Sequence, residues 1–162
     1  METSTTLSNN TFDHMIVWLD QNIASTGCYQ QLKRAFATTV NPENYILTTI
    51  DEVDIPNLIQ DQATQRDTCF LEVPFTFKLF ADIQSCLNFL LANAGKKRIF
   101  FMTSGQLGKD IVRQLLTDHK HVFTDMNGKF YEDSIYIFCA DAAKHAEWAF
   151  DFLDLGCYQN GD

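Results

Sequence analysis

The sequence predicts an α/β protein: a mostly parallel, five-stranded sheet, doubly wound in three layers. Two patterns and the chain length carry that expectation. Short apolar runs such as His14–Leu19, Ile99–Ser104 and Ser134–Ala140 are of strand length and are closed by polar, turn-forming residues. Between them lie stretches with apolar residues at helical spacing, so strands and helices alternate. At 162 residues the chain is of single-domain size and long enough to bury a core, with 46% hydrophobic and 20% charged residues and fourteen Phe to fill it.

In chain order, Met1–Phe12 is rich in Ser, Thr and Asn, with neither a basic start nor an apolar segment, and is expected to be a disordered lead-in rather than a signal peptide. The domain is expected over 13–156. His14–Leu19 is its first strand, ended by Asp20-Gln21-Asn22. A helix follows over about Cys28–Thr39, stopped by Asn41-Pro42, and β-branched and aromatic residues make Tyr45–Ile50 the second strand. The acidic stretch Asp51–Asp67 allows a short helix near Pro56. Thr68–Val73 reads as a strand closed by Pro74. Phe80, Ile83, Leu87, Leu90, Leu91 and Ala94 form a helical stripe, with Gly95 as its C-terminal cap and Lys96 and Lys97 complementing the helix dipole.

The stretch Arg98–Asp110 runs from an apolar strand through a Thr-Ser-Gly turn into a helix whose inner side carries Leu107, Ile111, Val112, Leu115 and Leu116 and which ends near His119. His121–Thr124 is a brief strand candidate, and Asn127-Gly128 suggests a tight turn pairing it with Phe130-Tyr131. Ser134–Ala140 is a buried strand, and Ala142–Leu155 a closing helix with Gly156 as its stop. Residues 157–162 read as a tail or the start of a linker, as in a domain cut from a larger protein.

Composition narrows the function. A formal net charge of −9, with no basic block expected to neutralise phosphates, argues against nucleic acid as a partner. No apolar run is of bilayer-spanning length, so no membrane partner is expected. The five scattered Cys and four His form no zinc set, and reduced thiols point to a cytoplasmic protein. No cofactor is expected.

In a parallel α/β sheet, ligands bind beyond the carboxyl ends of the strands, which singles out Asp20, Gln21, Thr103, Ser104, Gly105 and Lys109. Gly105-Gln106-Leu107-Gly108-Lys109 superficially resembles a phosphate loop. Its gap is two residues short, however, and Asp110 stands where a magnesium-binding hydroxyl belongs. Free amides at the helix start leave room for weaker anion binding, set against plain capping by Thr103 and Ser104. Asp20, Glu72 and Asp141 are candidates to converge on a hard cation, although Asp20 and Asp141 are equally explained as turn and cap residues. Cys139 at a strand end lacks a positioned base, so it is expected to be a core thiol. Trp148, Phe152 and Leu155 form a second apolar row on the last helix, either covered or a docking face for a partner or a second copy.

Trp18-Leu19-Asp20-Gln21-Asn22 and Ile99-Phe100-Phe101-Met102-Thr103-Ser104 resemble the first and fourth strands of receiver domains of bacterial response regulators and, more loosely, other flavodoxin-like signalling folds such as TIR. The resemblance implies a receiver-like sheet. The chain departs from that family where its chemistry lies: Gln21 replaces the second acid, the nearest acid for the phosphoacceptor is Glu72, and Cys139-Ala140-Asp141 replaces the Lys. That combination implies a pseudo-receiver. Ile16–Asn22, Arg98–Gly105 and His121–Asp125 are also similar to amino-terminal modules of invertebrate multidomain proteins that carry an ADP-ribosyltransferase domain or tetratricopeptide repeats. The expectation is therefore a non-enzymatic signalling or protein-interaction module of a larger protein, its partner another protein or the downstream domains of its own chain. The alternative is a nucleotide- or NAD-type ligand-binding or hydrolysing domain acting at the carboxyl edge.

Overall fold

The computed structural model describes residues 14–23, 25, 27–28, 39–40, 47–48, 66–70, 73–138, 147–149 and 157–160. Its strands in chain order are β1 (His14–Leu19), β2 (Thr39–Val40), β3 (Leu47–Thr48), β4 (Arg66–Phe70), β5 (Val73–Phe80), β6 (Arg98–Ser104), β7 (Ile135–Phe138) and β8 (Cys157–Asn160). The helices are α1 (Ile83–Asn93) and α2 (Gly105–Asp118), followed by a 3-10 turn over Lys120–Phe123. Residues 147–149 are also helical.

The fold is α/β with a predominantly parallel sheet. Six strands lie in the order β4-β5-β1-β6-β7-β8. From β5 to β8 every neighbouring pair is parallel, while β4 runs antiparallel to β5 at one edge. Numbered along the chain, the parallel strands stand in the order 2-1-3-4-5, consistent with a flavodoxin-type layout. β2 and β3 form a separate two-stranded antiparallel ribbon.

Strand alternation gives the sheet two buried faces. Met15, Val17 and Leu19 of β1, Ile99 and Phe101 of β6 and Ile135 and Ile137 of β7 line one, covered by Cys86, Leu87 and Leu90 of α1 and Ile111, Val112, Leu115 and Leu116 of α2. Trp18, Phe75, Phe77, Leu79 and Met102 form the core of the other with Ile23. Because both faces are buried, β1 reads as an unbroken apolar run and not as an alternating one.

Several expectations are corrected. Pro74 does not close a strand. It lies near the start of β5, one position before the pairing of Phe75 with His14, where a missing N–H is tolerated. The helical stripe accordingly begins later than Phe80, which ends β5; α1 starts at Ile83 after the Asp82 cap. Of Tyr45–Ile50 the described residues are Leu47–Thr48, which belong to the small ribbon, so the strand expected as the fourth, Ile99–Ser104, lies in the third parallel strand, β6. His121–Thr124 is mostly 3-10 turn, leaving a single bridge between Thr124 and Phe130 across the expected Asn127-Gly128 turn. Cys157–Asn160, expected to be tail, pairs with β7 as an edge strand. Lys96 and Lys97 lie beyond the last turn of α1, past Ala94 and a Gly95 whose φ is +71°.

Candidate functional site

The order 2-1-3-4-5 reverses direction between β1 and β6, and the crevice of such a sheet opens beyond the carboxyl ends of those two strands. Leu19 and Thr103 are register partners there, which brings Asp20 beside Ser104. Of the six carboxyl-edge candidates, the sheet thus places Asp20, Thr103, Ser104 and Gly105 along one rim.

Their side chains are turned to local structure. Asp20 is buried, and its Oδ1 accepts the Asn22 amide at 2.6 Å. Its own amide donates to the Phe80 carbonyl at 3.0 Å, and its carbonyl accepts from Ile23 at 3.2 Å. This is the Asx turn by which Asp redirects a chain leaving a strand. Thr103 is fully buried and donates to the Ser104 carbonyl at 3.3 Å. Ser104 is the N-cap of α2, its Oγ accepting the Leu107 amide at 3.5 Å. Of the two residues expected to cap, only Ser104 does so. Gln21 and Lys109 are exposed.

The second glycine of the loop-like motif has a packing role. A Cβ on Gly108 would come within 2.9 Å of Thr103 Cγ2 and 3.1 Å of Trp148 Cη2. The small residue lets the last helix lay its indole against α2. Trp148 is itself buried in the core cluster, which removes it from an exposed row; Phe152 and Leu155 lie outside the described residues.

The expected carboxylate cluster has a different neighbour. β5 ends at Phe80, so the acid following its carboxyl end is Asp82, whereas Glu72 comes before β5 in the sequence. Asp82 caps α1, accepting the Ser85 amide at 2.8 Å. The signal for β5 in the sequence is the alternation of Phe75, Phe77 and Leu79 with Thr76 and Lys78. Glu72, Cys139 and Asp141 lie outside the described residues, and among the described residues no three His, Cys, Asp or Glu side chains gather as a metal site. Cys86 is buried, and burial, with the Asp82 charge as a lesser contribution, raises its thiol well above the ordinary value. It is therefore no nucleophile at neutral pH.

A second concave region lies at the amino edge, where the sequence reading expected nothing. It is a pocket of about 500 Å³ bordered by His14, Lys96–Arg98, His121, Asp125, Met126 and Tyr131.

No family model, curated protein or solved structure matches this chain. Among the described residues, no helix is long and apolar enough to cross a membrane.

Proposed function

We propose that this chain is a non-enzymatic signalling or protein-interaction module of a larger cytoplasmic protein, built on a three-layer, flavodoxin-like pseudo-receiver scaffold. Its partner is another protein, a second copy or the downstream domains of its own chain. One observation carries the reading: at the crevice where such folds do chemistry, Asp20 and Ser104 are engaged by neighbouring backbone amides and Thr103 is buried. Phosphoryl transfer to a receiver needs a carboxylate acceptor beside an acid pair holding a divalent metal. The third parallel strand, which carries that acceptor in receivers, here ends in Thr103-Ser104, and a single acid follows β1.

The test is a titration of the protein with magnesium, ATP and NAD, followed through the backbone amide resonances of Asp20–Ile23 and Thr103–Lys109. The reading expects these resonances to stay in place. Saturable shifts at Gln21, Ser104, Gly105 and Lys109 would establish the alternative, a nucleotide- or NAD-binding domain, and remove the pseudo-receiver reading.

A further inference from the structure

The amino edge of the sheet collects positive charge in an otherwise acidic chain. Lys96-Lys97-Arg98 is the only run of three Lys or Arg residues in a sequence of net charge −9. The turn after α1 sets its position: Gly95 takes φ +71°, and the Lys96 amide donates to the Asn93 carbonyl at 3.1 Å as the chain reverses into β6. A residue with a Cβ disfavours that conformation, so the glycine delivers the three cations to the start of the strand.

Each cation is held differently. Lys97 is half-buried and donates from Nζ to Thr76 Oγ1 at 2.8 Å. The Arg98 guanidinium lies 4.9 Å from the Phe100 ring and 5.1 Å from the Tyr131 ring, with Nη2 donating to the Glu132 carbonyl at 3.3 Å. Its Nε is buried and has no hydrogen-bond partner. A buried donor without an acceptor is costly, and in a charged group more so. Lys96 is exposed on the rim. His14, the register partner of Arg98, stacks on Phe100 at 6.0 Å, and His121 borders the same pocket.

Among the described residues that border the pocket, the one carboxylate is turned aside. Asp125 Oδ1 accepts the Asn127 and Lys129 amides at 2.8 and 2.9 Å, closing its own turn. Among the described residues, three permanent cations and two imidazoles therefore border the pocket with one internally bonded acid. The remaining border is apolar at Met126, which is fully exposed, and aromatic at Tyr131. A volume of about 500 Å³ is that of a small-molecule site.

We infer that this amino-edge pocket binds a small phosphate-bearing organic anion, its phosphate among Lys96, Lys97 and Arg98 and its body against Met126 and Tyr131. The inference is independent of how the carboxyl edge is read, because the two edges lie at opposite ends of the strands.

The experiment titrates the full chain with pyrophosphate, adenosine monophosphate, adenosine, sulfate and citrate at matched ionic strength, by calorimetry and amide resonances. Saturable shifts confined to His14, Ala94–Arg98 and His121–Tyr131 are expected with pyrophosphate and adenosine monophosphate, with the nucleotide binding the tighter of the two. Lys96→Glu should weaken binding at least about tenfold while leaving the melting temperature unchanged, since that side chain is exposed and has no described partner. Binding of adenosine as tight as its monophosphate, citrate binding tighter than pyrophosphate, equal binding of sulfate, or full affinity in Lys96→Glu would each overturn the assignment. So would the absence of any shift at these residues, or phosphate-dependent shifts at Ser104 and Gly105 alone.

Discussion

The two ends of one sheet use their polar residues in opposite ways. At the carboxyl edge, Asp20, Asp82 and Ser104 accept nearby backbone amides, and Gly108 makes room for Trp148. At the amino edge, Lys96 is exposed with no described side-chain partner, and Lys96, Lys97 and Arg98 border a pocket. The edge that fold-level expectation favours thus spends its polar side chains on local structure, and the other leaves cations bordering a pocket. A fold's usual ligand position is an analogy until its side chains are followed to their partners.

Substitutions can break that comparison, beginning with the largest effect. Gly108→Val should cost about 2–3 kcal/mol, because its branched side chain must displace Thr103 and the Trp148 indole. Chemical denaturation should show a lower midpoint at unchanged slope; wild-type stability would mean the last helix does not rest on α2. Asp20→Ala removes a buried carboxylate that holds an amide, and a loss of about 2 kcal/mol is expected. If thermal melting instead shows Asp20→Ala to be stabilising, the residue is strained, as a functional acid often is, and the contrast between the edges fails.

Asp82→Ala and Ser104→Ala remove caps. About 1 kcal/mol is expected for Asp82, whose bond is 2.8 Å, and somewhat less for Ser104, whose bond is 3.5 Å. The reverse ranking in urea titrations would show the Ser104 cap to be the tighter one. The smallest effect concerns the core thiol. Cys86 should resist thiol reagents in the native protein at mildly alkaline pH, while the partly exposed Cys28 reacts. The Cys86 thiol titrates higher folded than unfolded, so its contribution to stability is complete below the ordinary thiol value and declines as pH rises past it. Loss of that alkaline decline in Cys86→Ala, followed by thermal melting, checks the sign.

Much of this architecture was legible because local signals agreed with the tertiary structure. β1 is a short apolar run, α2 carries its inner face at helical spacing, and Gly95 and Gly128 stand at positive φ where turns were expected. The misreadings arise where tertiary pairing overrides a local signal. Pro74 suggested an end, yet the start of β5 tolerates it, and Lys78, at a polar position of the alternation, is fully buried in the sheet. Cys157–Asn160 has little strand character of its own and is ordered by pairing with β7. At the carboxyl edge the residues were found, but their engagement by local amides depends on turn geometry. The amino-edge pocket escaped notice because it joins His14, Lys96–Arg98 and Tyr131, far apart in sequence, and Lys96-Lys97 had a sufficient local explanation in the helix dipole.

The central position of β1 also constrains how the chain folds. It lies between β5 and β6, so neither hydrogen-bonding partner begins before Val73. During synthesis β1 must wait for β5 and β6 until both have emerged. Closing such distant pairings slows folding and lengthens the exposure of unpaired strand edges. The segment at the middle of the native sheet is therefore the one most exposed to aggregation before the sheet exists.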